Sequence, residues 1–301
     1  MHTHIVAFLD LLGFSNYTKE DIVGTGRLLA DQQEILGQRL SEAQNPNLIG
    51  QIPEWMQVDG FHHFLPFSDS TLIIGNDPNK FLRQLADFLR ACFLINSHAY
   101  FLPDDPEHPE KVRVLDASLS AIKTAQEMWY PAQWRGALAI GEVHVFEVLG
   151  IARGKSLKVP NAIGPAIVEA VKLEKSGKGP RLFCPTRLPE HLTPDLREYF
   201  QPVHGLNGVS EFLWPAVNFN RTTFDPQMND FYELWSPAVN LWKSKTKPHV
   251  AFEHYDQFLR LLIRSAVCSA KLVDATPTAR DYIRNRIRQD LSDEFVDDYL
   301  S

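Results

Sequence analysis

Short apolar runs alternate along the chain with helical repeats. Ile5, Val6, Ala7, Phe8 and Leu9 form an unbroken apolar run closed by Asp10, the pattern of a central strand covered on both faces. A site is expected at its carboxyl end. After Gly13, Leu28, Leu29, Ile35, Leu36 and Leu40 fall at the spacings of an amphipathic helix, which Asn45-Pro46-Asn47 ends. Two β-prone runs, 61–67 and 71–75, flank Ser68-Asp69-Ser70, a turn composition that predicts a hairpin with Asp69 at its tip. Phe81, Leu82, Leu85, Phe88, Leu89, Cys92 and Phe93 then repeat at helical spacing, predicting a helix packed across a sheet.

The second half is less regular. Residues 100–116 carry Pro103, Pro106 and Pro109 among acids and read as an exposed loop or insertion. Residues 135–145 alternate as a strand does, with Gly136 and Gly141 marking close backbone approach or bulges. Asn161-Ala162-Ile163-Gly164-Pro165 leads into a helix over 166–175, which Gly177 ends as a C-cap, and 181–184 supplies another strand. Beyond Pro185 the pattern weakens until Phe252, Tyr255, Phe258, Leu259, Leu262, Ile263 and Ala266 mark one stripe of a C-terminal helix. A last helix starts with Thr276 as N-cap and Pro277 in its first position. The order predicts an α+β fold with a βαββαβ core and a helical C-terminal extension.

Composition narrows the possible functions. Hydrophobic residues make up 44% of 301, enough to bury a full core. With 30 basic against 37 acidic side chains the formal charge is −7, so no global positive field awaits nucleic acid or anionic lipid, and neither is expected as a partner. Three cysteines, Cys92, Cys184 and Cys268, are too scattered for a disulfide framework and read as reduced thiols in a cytoplasm. The N-terminus lacks the basic region of a signal peptide, and no stretch approaches the roughly 18 apolar residues of a membrane span.

The most informative polar positions are Asp10, at the end of the buried strand, and Asp69, at the hairpin tip. Taken singly, they are more simply a helix cap and a turn acid. Held close on adjacent strands, two carboxylates repel, and a shared divalent cation resolves the conflict. Hard oxygen ligands with an open side suit Mg²⁺ or Mn²⁺ and point to phosphoryl or nucleotidyl transfer.

The residues around the two acids carry a resemblance. Phe8-Leu9-Asp10-Leu11-Leu12-Gly13-Phe14 and Phe67-Ser68-Asp69-Ser70-Thr71-Leu72-Ile73 resemble the two metal motifs of class III nucleotidyl cyclases. The first motif of that family reads Phe-x-Asp-hydrophobic-x-Gly-Phe; in the second, usually Gly-Asp in a hairpin, Ser68 replaces the glycine here. Further matches follow in the family's order: the strand ending near Gly141-Glu142, the helix with Ala170, Leu173 and Glu174 after Gly164, and the strand of Gly179-Pro180-Arg181-Leu182-Phe183. The resemblance spans about residues 4–186 and implies a cyclase-like, ferredoxin-like core over 1–186, with 100–117 as an exposed insertion.

Three further positions depart from the family. Counting from Gly164 and Leu173-Glu174, the ribose-orienting Asn falls on Val168, the transition-state Arg on Lys172 and the purine-reading Asp on Asn161. An Asn amide offers a donor and an acceptor where a carboxylate only accepts. With Arg135-Gly136 opening the fourth strand and Glu169 in the helix, the combination is similar to the divergent pyrimidine cyclases of bacterial Pycsar antiphage defence. Those enzymes make cyclic UMP or cyclic CMP, which switches on a separate effector.

The resemblance implies UTP or CTP as substrate and two divalent ions, Mn²⁺ or Mg²⁺, on Asp10, Asp69 and the Leu11 carbonyl. It implies that backbone N–H groups of Leu12, Gly13, Phe14 and Ser15 cradle the phosphates, that Asn161 and Glu169 face the substrate, and that Lys172 or Arg135 meets the developing charge. A head-to-tail homodimer is implied, with metal ligands from one protomer and helix residues from the other, and an effector that senses the product without a stable complex. Residues 187–301 read as an irregular region and C-terminal helices, whose apolar stripe on 252–266 is expected to extend the dimer interface.

Overall fold

The computed structural model describes residues 3–20, 22–45, 50–95, 111–116, 121–128, 132–152, 154–219, 230–244, 252–272 and 276–300. Its centre is strand β1 (Thr3–Leu11). Ile5, Val6, Ala7 and Leu9 are buried, so both faces are covered, as a continuous apolar run requires. β2 (His63–Phe67) and β3 (Ser70–Gly75) form the expected hairpin, and β3 pairs antiparallel with β1. On the other side β1 pairs antiparallel with β6 (Trp134–Glu142), which runs parallel to β9 (Leu182–Pro185). β10 (Phe200–Pro202) and β11 (Val209–Phe212) complete a seven-stranded, mostly antiparallel sheet of order β10-β11-β9-β6-β1-β3-β2.

Alternation along β1 divides the core. Ile5, Ala7, Leu9 and Leu11 face α3 (Pro78–Ile95), whose Phe81, Leu85, Phe88 and Cys92 are buried with them. The same cluster takes in α6 (Trp214–Asn218), α7 (Asp230–Ser244), α8 (Phe252–Lys271), α9 (Thr276–Asp290) and α10 (Glu294–Leu300). Val6 and Phe8 face the opposite way and meet Ala166 and Ala170 of α4 (Pro165–Glu174), together with Leu72, Ile74 and Ala139. Small residues at four-residue spacing let α4 lie close on the sheet. Gly136 serves the same economy of space: a Cβ there would strike the Phe8 carbonyl oxygen and lie 2.7 Å from Leu9 Cδ2.

Between the first strand and the hairpin lie α1 (Phe14–Glu20) and α2 (Ile22–Gln44). Several expectations are corrected beyond that point. The segment 100–116 is not all loop, because β4 (Lys111–Asp116) pairs with β5 (Ala121–Met128) in a separate two-stranded sheet; residues 100–110 lie outside the described residues. The strand read over 135–145 breaks at Val143, after which β7 (His144–Ala152) and β8 (Lys155–Ile163) form a hairpin of their own. Residues after 187 are not irregular up to the C-terminal helix: they supply β10, β11, α5 (Pro194–Arg197), α6 and α7. The stripe of α8 is spent inside the chain, with Tyr255, Phe258, Leu259, Leu262, Ile263 and Ala266 all buried. It offers no surface to a second copy.

Candidate active site

Register across three strands builds the site. Asp10 on β1 stands opposite Ser70 on β3 and opposite Arg135 on β6, and residues paired in antiparallel strands present their side chains to one face. The row therefore lies on the α4 side of the sheet. The Ser70 hydroxyl donates to Asp10 Oδ1 at 3.2 Å, and Arg135 Nη2 donates to Asp10 Oδ2 at 3.0 Å. From the last turn of α4, the carboxylate of Glu174 reaches down to Arg135 Nε as an ion pair. Glu174 is 3% exposed. Its burial follows from position, since 166, 170 and 174 fall on one helix face and the first two are the alanines pressed on the sheet.

The electrostatics of this row are unbalanced. Burial is the largest influence on the Asp10 carboxyl and holds it above the usual carboxylate range, against the opposing pull of Arg135 and the Ser70 hydrogen bond; the charge of Asp69 pushes it up further. Glu174 is raised as well, first by burial and then by Asp10, with Arg135 opposing. Asp10 and Glu174 share the Arg135 guanidinium, Lys175 also acts on Glu174, and Asp69 adds a further negative charge felt by Asp10; carboxyls raised by burial in such a site favour either protonation or a cation.

Asp69 is delivered by the hairpin turn. Ser68, at φ 59°, is the one non-glycine residue with positive φ among the described residues, which fits the first central position of a type II′ turn where glycine is favoured. Glycine takes this conformation without penalty, and the serine adopts it under strain. Leu11 N–H donates to the Asp69 carbonyl at 2.8 Å and ties the turn to the end of β1. Two carboxylates on adjacent elements, short of positive charge, form a donor set that fits a divalent cation. A carboxylate has four lone-pair directions, so the bonds from Arg135 and Ser70 do not exhaust Asp10. Among the described residues no group of three or more His, Cys, Asp or Glu side chains is set to hold a metal ion, so a cation on this pair would need its remaining oxygens from backbone carbonyls, a bound ligand or water.

The turn after β1 differs from expectation in one position. Leu12 N–H donates to the Gln133 carbonyl at 2.9 Å, so Leu12 cannot contribute to a phosphate cradle. The Gly13 carbonyl accepts from Asn16 and Tyr17, and the N–H groups of Gly13, Phe14 and Ser15 have no recorded acceptor among the described residues. Gly13 is at φ 83°, and a Cβ there would lie 2.8 Å from the Tyr17 ring. The turn requires glycine on both counts.

The remaining predicted residues stand elsewhere. Lys172 is exposed on α4 and lines a groove of about 760 Å³ with Val168, Glu169, Arg187 and Asn207. Two residues separate it from Glu174, about 200° around the helix, so Lys172 and Asp10 do not meet within one chain. Glu169 is paired with Arg187 at 2.5 Å. Asn161 sits on β8 opposite Phe146, not at a helix cap, and its Oδ1 accepts the N–H of Ala162 at 2.8 Å. Arg135, expected to meet developing charge, is instead held between Asp10 and Glu174. Ser70 and Glu174 are the two site residues that reading the sequence did not single out. The four-residue spacing of Ala166, Ala170 and Glu174 is the signal that could have found the second.

No protein-family model and no curated protein matches the chain. Solved structures do. They include an adenylate cyclase from Trypanosoma brucei in its monomeric state, at 12% identity and a TM-score of 0.42, covering 73% of this chain and 92% of that one. The guanylate cyclase domain of RhGC from Catenaria anguillulae in complex with GTP is similar at 12% identity and a TM-score of 0.40, over 70% and 96%. The adenylyl cyclase CyaB from P. aeruginosa is similar at 13% identity and a TM-score of 0.35, over 70% and 93%. The solved structures to which the chain is similar are thus adenylyl and guanylyl cyclase domains.

Proposed function

We propose that the protein is a divalent-metal-dependent nucleotidyl cyclase that converts a pyrimidine nucleoside triphosphate, UTP or CTP, to the 3′,5′-cyclic monophosphate and pyrophosphate. The observation that carries this reading is the placement of Asp10, at the end of a buried strand, beside the hairpin turn that bears Asp69, each in its motif, with the charge of Asp69 felt by the half-buried Asp10 carboxyl. The chemistry that bound Mg²⁺ or Mn²⁺ supplies is a more acidic ribose 3′-hydroxyl and a neutralised triphosphate. Asp10, Asp69 and the Leu11 carbonyl are the groups that would hold the metal. The 3′-oxygen forms a bond to the α-phosphorus as the bond to the β-phosphate oxygen breaks. Gly13, Phe14 and Ser15 offer their N–H groups to the departing phosphates.

The other half of the site comes from a second copy of the chain. Lys172 faces outward on α4, beside Val168 and Val171 at 53% and 38% exposure, and Leu149 and Ile151 of β7 are 75% and 77% exposed. Exposed apolar side chains on α4 and on β7 are surfaces that another chain can cover. In a head-to-tail homodimer Lys172 meets the developing charge over its partner's two acids. Asn161 reads the base: its oxygen accepts one bond, from Ala162, and its amide NH₂ is a donor that suits the carbonyl oxygens of a pyrimidine, of which uracil has two and cytosine one. This favours UTP.

The product is read as a cytoplasmic second messenger in antiphage defence, sensed by a separate effector; the motif resemblance alone supports that part. No helix among the described residues is long and apolar enough to cross a membrane. The test is incubation of the purified protein with Mn²⁺ and each of ATP, GTP, CTP and UTP, with mass spectrometry of the products and Asp69→Ala as control. Cyclic UMP or cyclic CMP, absent in the control, is the expected result; a purine product, or none from any nucleotide, overturns the pyrimidine assignment.

A further inference from the structure

A second polar cavity lies away from the two acids, where α8, α9 and α10 meet the β9–β10 edge of the sheet. It has a volume of about 340 Å³ and is lined by four arginines, Arg181, Arg260, Arg264 and Arg280, with Gln201, Gln257 and Asp298. Three of the arginines are fixed in place. Arg181 and Arg264 both fork onto the buried carboxylate of Glu211, at 2.7 Å and 2.6–3.1 Å. Arg260 bonds Asp256 at 3.0 Å and Asp298 at 2.5 Å and lies 4.6 Å over the Tyr299 ring. Four guanidinium groups against Glu211, Asp256 and Asp298 leave one positive charge over.

That surplus coincides with unused donors. Arg280, exposed on α9, has no recorded partner among the described residues, and neither does the side chain of Gln201 on β10. Gln257 uses its oxygen toward Arg181 at 3.5 Å, which leaves its amide N–H groups to the cavity. Ile263, Val267, Tyr299 and Leu300 supply an apolar wall. Rigid N–H donors with net positive charge select an oxyanion, and an apolar wall selects an organic one.

We propose that this cavity binds a small organic oxyanion, bearing a phosphate or carboxylate group, at a site separate from Asp10 and Asp69. A ligand there bridges α9, α8 and the outer strand β10, and so ties the C-terminal helices to the sheet. The inference does not depend on the cyclase reading. Calorimetric titration of the full chain in metal-free buffer with EDTA, using uridine 5′-monophosphate and citrate as probes, tests it. At least one probe is expected to bind with Kd below about 1 mM, equally to Asp69→Ala, and about tenfold more weakly to Arg280→Ala and Gln201→Ala. Arg280 makes no internal pair, so that variant keeps the fold. Binding of the first probe alone assigns a phosphate ligand, and of the second alone a carboxylate. Binding of neither probe, binding unchanged in Arg280→Ala, or binding abolished by Asp69→Ala overturns the proposal.

Discussion

Arg135 Nη2 donates to Asp10 Oδ2 at 3.0 Å, and this bond joins a candidate metal ligand to the buried end of α4, because the Nε of the same guanidinium faces Glu174. Lys172, two residues earlier on that helix, faces outward. One helix therefore holds Asp10 through Arg135 from one face and, in the proposed homodimer, presents a cation to the partner's site from the other.

The first prediction concerns that link. Removing one partner of a buried ion pair leaves its mate uncompensated, at about 3–5 kcal/mol. Arg135 retains 21% side-chain exposure, so Arg135→Ala is expected near the lower end, about 3 kcal/mol, in urea unfolding. The double variant Arg135→Met with Glu174→Gln is expected to recover part of the loss, because Glu174 no longer leaves a buried charge alone while Asp10 still lacks its guanidinium. Additive losses in the double variant would show that the two groups do not interact.

Ser68 gives a prediction of opposite sign. A left-handed conformation costs an L-residue about 1–2 kcal/mol, and glycine's extra unfolded-state freedom returns about half of that. Ser68→Gly is expected to stabilise by roughly 0.5–1 kcal/mol and to raise the melting temperature by about 1–3 °C, with Asp69 still tied through its carbonyl to Leu11. A lower melting temperature would mean that the serine side chain contributes something glycine cannot.

How much of this was legible in the sequence depended on whether the deciding interaction was local. Asp10, Asp69 and the hairpin were readable because a closed apolar run and a turn tripeptide are local signals. The β7–β8 hairpin was not, because Leu149, Ile151 and Leu157 are exposed and alternate against no core. β10 and β11, of three and four residues, are too short for periodicity to show. Arg135's role needed the register of β6 on β1, and the capture of Leu12 N–H needed Gln133 beside it. Both are properties of the assembled sheet.

Gly136 tests the packing that sets this register. It pairs with Leu9 on one side and Leu182 on the other, and a Cβ would strike the Phe8 carbonyl, which cannot move without shifting β1. Gly136→Ala is expected to cost about 3 kcal/mol, the upper part of the overpacking range. Unchanged urea midpoints would contradict the close approach.

Acid stability is governed by a different carboxylate. Burial alone would raise Glu211, but the hydrogen bond from Arg181 and the charges of Arg264 and Arg181 outweigh it and hold the group below its usual value of 4.5. A lowered native pKa contributes stability that is present above the unfolded value and lost as pH falls through the native one. Glu211→Gln is therefore expected to destabilise by about 3–5 kcal/mol at pH 7. The gap to wild type should narrow as pH drops below about 4.5. A gap constant with pH would mean that the loss is one of packing and not of charge.

The last prediction addresses the shared site. If Asp10 and Asp69 act with Lys172 of the other protomer, Asp69→Ala and Lys172→Ala each disable both sites of their own homodimer. A heterodimer of the two variants concentrates both lesions in one site and leaves the other intact. Random pairing makes half of the dimers mixed, each with one of two sites working, so an equimolar mixture should regain roughly a quarter of wild-type turnover in a two-fold assembly. Neither variant alone should show it, and the recovery should require time for subunit exchange. A mixture as inactive as its components after subunit exchange would contradict a site shared between protomers, and a Lys172→Ala protein that cyclises at the wild-type rate would place Lys172 outside the reaction without any mixing.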